Sequence, residues 1–363
     1  MLTKTDTQKV KRIQKLDLDI LESLYKYRAL STAQIRKMFN LSKMYTYKKM
    51  RILQNTGWVH KAWIKGFAAP QRKKRQGVYF RIGETGIACL RKQGYPVERK
   101  ASQLRVSENF LPYLLSTNDL MIDLMSFGWR MLDSREVKRK YSLNRGDSLQ
   151  GILTSPGDKE YVFYMLMEKT TKPTLTKIAQ EMESYSALDA TKGERPIPHY
   201  IIFVRGQESY QQVNNFFNSR TGAITSSGQI KVMPLFFAKM YFRLFDDKKE
   251  LLKYLSRFGI EDVTARANLT QIKSYNGLST VVRHEGEEKY FVNLLDSDLI
   301  KMHDIHSYRK EQYELDGRKM LAITTNALIN KQQEMLQAIK HIDWYPLDHH
   351  EMIDYLSQVP PTD

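Results

Sequence analysis

The chain of 363 residues holds a single cysteine, Cys89. One thiol cannot build a disulfide framework, and a cysteine-based zinc site needs several, so a reducing, intracellular setting is expected. No apolar run approaches the roughly 18–20 residues that cross a bilayer. The opening Met1-Leu2-Thr3-Lys4-Thr5-Asp6 lacks the apolar core of a signal peptide. The cytoplasm is therefore the expected compartment, and no membrane partner is expected. Phosphate-gripping loops are missing as well. Neither G-x-x-x-x-G-K-[ST] nor G-x-G-x-x-G occurs, which argues against an ATP-driven initiator or helicase and leaves no cofactor to expect. Histidines cluster only as His303-x-x-His306 and His349-His350. Exposed helix positions account for these, and no metal site is expected. Tyr45, Tyr47 or Tyr141 could attack a phosphodiester as a relaxase tyrosine does, but nothing resembles the three-histidine metal cluster such enzymes use.

Acid is missing from one long stretch. Between Ser23 and Gly83 there are 15 Lys and Arg and no Asp or Glu. Residues 1–100 carry 24 basic and 6 acidic side chains, whereas residues 101–363 carry 33 and 34. The net charge of +17 thus belongs to the first quarter of the chain. Solubilising charge would be spread evenly; a phosphate-binding surface is local. With 42% hydrophobic residues the chain can still bury real cores, and its length fits two or three domains.

The basic region has a legible order. Leu16, Leu18, Ile20, Leu21, Leu24 and Tyr25 recur at helical spacing over 16–29. Ser31-Thr32 can cap a second short helix through Ile35 and Phe39, and Asn40-Leu41-Ser42 reads as a turn. A third helix runs over about 42–55, with Thr46, Met50 and Leu53 inward and Gly57 at its end. Strands over 58–64 and 77–82 flank a tip containing Arg72, Lys73, Lys74 and Arg75, and a further helix starts near Thr85. This order predicts a winged helix-turn-helix over 1–100. The outward face of the third helix carries Met44, Tyr45, Tyr47, Lys48 and Arg51, with Ser42 and Lys43 at its N-terminus. Lys43, Tyr47 and Lys48 are the candidates for base edges. Lys49, Arg51 and the four tip cations are candidates for backbone phosphates, which add affinity and salt dependence but little specificity. For each of these residues the bland alternative is a solvated side chain.

A broad apolar helix is predicted over 108–132, within a connector spanning 101–140. It could dock the first domain or pair with a second copy, and a homodimer suits proteins that read two half-sites. The remainder, 141–258 and 259–363, reads twice as strand, strand, helix, strand, helix, strand, helix. Phrases also echo: Asp158-Lys159-Glu160-Tyr161-Val162-Phe163 against Glu287-Glu288-Lys289-Tyr290-Phe291-Val292. Two tandem α/β units from an internal duplication, the second shortened, give an α/β chain that is α+β overall.

Several motifs carry a family resemblance: Gly83-Glu84-Thr85-Gly86 at a helix start, Asn118-Asp119 in a helix, Asp147 before a strand pair, the run Tyr161 to Thr171, and Tyr185 late in a helix. In these the first ~240 residues resemble the replication-relaxation family of bacterial plasmids and other mobile elements. That resemblance implies a role in replication of such an element. The α/β order also resembles restriction-endonuclease-type cores, which hold Mg²⁺ with an aspartate and an acid-x-Lys strand. Here Asp147 could be the first acid, but the strand ends Leu166-Met167-Glu168-Lys169, with leucine where an acid belongs and Lys169 pointing to the opposite face from Glu168. A degenerate core without catalysis is expected. The reading is a sequence-specific double-stranded DNA-binding protein of a mobile element that controls its replication, copy number or transcription. One alternative is a divergent Mg²⁺-dependent nuclease nicking near an origin. A second is an adaptor recruiting another replication or transfer protein.

Overall fold

The computed structural model describes residues 13–64, 77–167, 170–188, 197, 199–218, 228–267 and 278–358, and gives a mixed α+β protein with three sheets. It divides into two compact units, Met1–Ile122 and Asp123–Asp363.

In the first unit, α1 (Lys15–Tyr27) buries Ile20, Leu21, Leu24 and Tyr27 along one stripe. The chain leaves it through Arg28 at φ 67°. Asn118 in α5 (Leu111–Leu124) answers the carbonyls exposed by that exit, its buried amide donating to Tyr27 O at 3.1 Å and Ala29 O at 2.7 Å. Such buried carbonyls are costly without donors. Strand β1 (Leu30–Ser31) leads into α2 (Thr32–Met38). There Ser31 Oγ accepts from Gln34 N, and Gln34 Oε1 accepts from Ser31 N, a reciprocal cap. Asn40 takes the left-handed turn at φ 48°, and α3 (Lys43–Asn55) follows.

Strands β2 (Val59–Trp63) and β3 (Val78–Ile82) pair antiparallel with Val59 opposite Ile82, and β1 lies on the other side of β3 with Leu30 opposite Phe80. A strand as short as β1 leaves no alternation to find in the sequence. Helix α4 (Glu84–Lys92) starts against the turn after α3. A Cβ on Gly83 would lie 2.5 Å from Gly57 O, and one on Gly86 only 2.4 Å from Trp58 O. Thr85 Oγ1 donates to Gly57 O across the same seam at 2.6 Å. The Gly-Glu-Thr-Gly motif is thus a close-packing device.

The helix expected over 108–132 is shorter. After α5 come a single 3₁₀ turn, Met125–Phe127, and Gly128 at φ 77°; Arg130–Asp133 is then strand β4. The indole of Trp129 donates to Phe242 O at 2.8 Å, which fixes the departure from helix. Helix α6 (Ser134–Lys140) follows, with Asp133 as its cap.

The second unit contains two five-stranded sheets. The first runs β4-β5-β6-β7-β8, with β5 (Gly151–Thr154), β6 (Glu160–Leu166), β7 (His199–Val204) and β8 (Gln229–Pro234). The second consists of β9 (Glu261–Asp262), β10 (Val281–His284), β11 (Glu287–Asn293), β12 (Met320–Thr325) and β13 (Ile342–Leu347), in the same spatial order. In both sheets the first two pairings are antiparallel and the last two parallel. The edge strands β4 and β9 precede the repeat as read from sequence. The helices are α7 (Lys172–Ser186), α8 (Gln207–Asn218), α9 (Leu235–Leu244), α10 (Lys248–Leu255), α11 (Leu299–Ile305), α12 (Lys310–Asp316), α13 (Ile329–Met335) and α14 (His349–Gln358). Helix α9 was not anticipated; it is mostly apolar, with Lys239 and Arg243 the charged residues on its less buried side. The sequence pattern suggests a helix over 306–315; α12 covers only the later part of that stretch, and α11, which precedes it, was not anticipated. Strands β6 to β8 and β11 to β12 contribute to one continuous hydrophobic core.

Candidate nucleic-acid interface

Ser42 caps α3, its Oγ accepting from Tyr45 N at 3.3 Å, while Thr46 Oγ1 donates back to Ser42 O at 2.9 Å. The cap fixes the rotation of the helix. Thr46, Met50 and Leu53 are buried beneath it. Ser42, Lys43, Met44, Tyr45, Tyr47, Lys48 and Arg51 are all exposed, as the outward assignment requires. Lys43, Tyr47 and Arg51 lie four residues apart on one surface, with Met44 and Lys48 beside them. No acid lies anywhere in the helix. The large apolar body of Met44, 78% exposed, is left in water on this face.

Lys49 departs from its expected role as a phosphate contact. It is only 5% exposed. Its ammonium lies 2.6 Å from Asp17 Oδ1 and donates to Gln14 Oε1 at 2.7 Å. It shares the inward stripe with Thr46, Met50 and Leu53, so its charge ties α3 to α1 rather than facing solvent.

The tip cations Arg72, Lys73, Lys74 and Arg75 lie outside the described residues, as do Glu168 and Lys169. The strands flanking the tip are held in register, Trp63 opposite Val78, and Ile64 N donates to Gly77 O at 3.0 Å. Sequence reasoning missed a basic and aromatic pair on β2. Lys61 and Trp63 are both exposed, with the Lys61 ammonium 5.2 Å from the Trp63 ring centroid. Their i, i+2 spacing on one strand face was the available signal.

Asp147 lies in the second unit, in a different environment. Its Oδ2 accepts from Tyr185 OH at 2.7 Å. Glu181, not anticipated from sequence, is buried nearby and accepts from Ser148 N at 2.8 Å. Burial pushes the Glu181 carboxyl above its usual range. Burial, followed by the hydrogen bond to Asp147, raises the Tyr185 phenol. Lys138 donates to Asp147 O at 2.7 Å, and burial lowers its ammonium. These bonds engage one carboxylate oxygen of each acid, and Glu181 Oε2 is buried without a hydrogen-bond partner. Among the described residues no group of three or more His, Cys, Asp or Glu could hold a metal ion.

A pocket of about 340 Å³ lies in the same unit, where the loop after β11 meets β8. Lys231 and Lys301 approach Asp296 Oδ2 at 3.1 and 3.0 Å. Burial alone would raise Asp296, but the two ammoniums hold it down at about 2. Four lysines in the lining are matched by four aspartates. The pocket is electrically balanced, unlike the outward face of α3. No helix among the described residues is long and apolar enough to cross a membrane.

A family model described as replication-relaxation matches residues 21–198. The match takes in α3, the hairpin, Asn118 and Tyr185, and ends before the 240 residues over which the motifs suggest a resemblance. No curated protein and no solved structure matches the chain.

Proposed function

Residues 21–198 of this chain belong to the replication-relaxation family, and from that premise we propose that the protein binds duplex DNA of a bacterial mobile element, at a defined sequence, to control its replication, copy number or transcription. The three helices and three-stranded sheet of the first unit are read as a winged helix-turn-helix, with α3 as the helix that enters the major groove. One observation carries this reading. The exposed face of α3 presents Lys43, Tyr47, Lys48 and Arg51 within a stretch of 15 cations that contains no acid of its own. Lys43 and Lys48 suit guanine edges, Tyr47 can hydrogen-bond or pack in the groove, and Arg51 suits the phosphate backbone. Lys61 and Trp63 join the interface from the hairpin. The two sheets of the second unit are read as duplicated α/β modules that offer a dimer or partner surface.

The proposal assigns no catalysis to the chain. In the nuclease alternative Asp147 would hold Mg²⁺ through Oδ1, since Oδ2 accepts from Tyr185. Footprinting the full-length protein on DNA flanking its own gene, with competitor DNA and Mg²⁺ present, tests both readings. A protected, competitor-resistant site with intact strands is expected. Nicks at a fixed position would make the nuclease primary, and absence of protection would remove sequence-specific binding.

A further inference from the structure

The second unit is electrically neutral as a whole: residues 123–363 contain 32 Lys and Arg and 32 Asp and Glu. Its cations are not evenly spread. From Val137 to Gly146 come Lys138, Arg139, Lys140 and Arg145 with no acid between them. The fold brings in another cation from far along the chain, since Lys177 of α7 donates to Gly146 O at 2.7 Å. Lys138 donates to Arg145 O at 3.1 Å and Asp147 O at 2.7 Å. Two ammoniums therefore clamp one loop. Asn144 braces that loop internally, its Oδ1 accepting from Gly146 N and its backbone carbonyl from Asp147 N.

Arg145 stands exposed on this braced loop and Arg139 is exposed on α6; neither guanidinium has a hydrogen bond or ion pair among the described residues. Lys177 is half exposed and uses one of its three donors on the loop. Asp147 is engaged inward with Tyr185, while Glu181 accepts from Ser148 N and lies 3.9 Å from the Lys177 ammonium, which it partly neutralises. Lys140 is partly neutralised by Glu160 at 3.6 Å.

We propose that Arg139, Arg145 and Lys177 form a second phosphate-binding surface that contacts the backbone of duplex DNA without reading its sequence. The proposal rests on the DNA-binding reading above and extends it to the second unit. The cations sit on an exposed loop and helix rather than in a cavity, so an extended polyanion fits them better than a small free anion. The braced loop limits the backbone freedom lost on contact, and each phosphate neutralised releases condensed counterions.

The test compares the full-length protein with Arg139→Gln/Arg145→Gln/Lys177→Gln on the footprinted duplex over a range of salt concentrations. Each lost phosphate contact should reduce the slope of log K against log salt by about 0.9, so the triple variant should lose up to ~2.7. The affinity ratio of true site to scrambled duplex should stay unchanged. If the triple variant melts early, Arg139→Gln/Arg145→Gln carries the test, with an expected loss of up to ~1.8 in slope. A slope equal to wild type overturns the second surface. Where wild type binds with a steep slope and Lys43→Gln/Lys48→Gln loses site choice, an unchanged slope in the triple variant sinks this inference alone. If wild type does not bind duplex DNA, both proposals fall together.

Discussion

Lys48 and Lys49 are adjacent, identical in chemistry and opposite in role. Lys48 faces solvent from α3, while Lys49 is buried against Asp17. Removing one partner of a buried ion pair strands the other charge, at a typical cost of ~3–5 kcal/mol. Lys49→Met should therefore lower stability by about that much in urea melts. Lys48→Gln should leave stability within ~0.5 kcal/mol and cut discrimination between the true site and a scrambled duplex by about tenfold or more. If the two variants exchange these effects, the rotation of α3 is wrong. The sequence already held the distinction. Positions 46, 49, 50 and 53 follow the i, i+3, i+4, i+7 rule, so geometry alone puts Lys49 inside. Its charge made it look like a surface residue, and only Asp17, 32 positions away, explains how it can be buried. Glu181 was harder to read: its i, i+4 partner Lys177 suggests an exposed pair, and the backbone N–H of Ser148, which no side-chain pattern reveals, accompanies its burial.

The first unit's helices and hairpin were legible because each carries its own local signal: a Ser cap, a left-handed Asn, or alternating strand residues. β1, β4 and β9 carry none, being two to four residues long and defined by the strands they pair with. Long-range pairing settles such elements, and a window of sequence does not contain it. The start of α4 shows how a short motif can acquire meaning only in the fold. Gly86 is not needed for an unusual backbone angle; it is needed because the Trp58 carbonyl occupies the place of a Cβ. Gly86→Ala must separate α4 from the turn after α3 and should cost about 1–3 kcal/mol, as overpacking does. Chemical denaturation of the full chain measures this. A variant as stable as wild type would mean that the seam is loose, and Thr85 would then lose its claim to position α4.

At the scale of the whole chain, charge and core are divided between different regions. The first unit holds the cationic excess, whereas cations and acids are equal in number in the second. The repeat of strand order between the two sheets looks at first like two independent modules. The packing argues otherwise. Helix α11 lies against β8 and α8 of the first sheet, Val232 N donates to Ser297 O at 3.3 Å, and Asp296 joins Lys231 from β8 to Lys301 from α11. Leu299 is fully buried in the core shared by both sheets. Leu299→Ala should cost about 2–5 kcal/mol, as large-to-small core changes do. Because one core serves both sheets, amide exchange should accelerate by a common factor in β6 to β8 and in β11 to β13, the signature of one cooperative unit. Acceleration confined to β11 to β13 would show that the second sheet opens alone, and the two copies would then be separate folding units that touch rather than a single body.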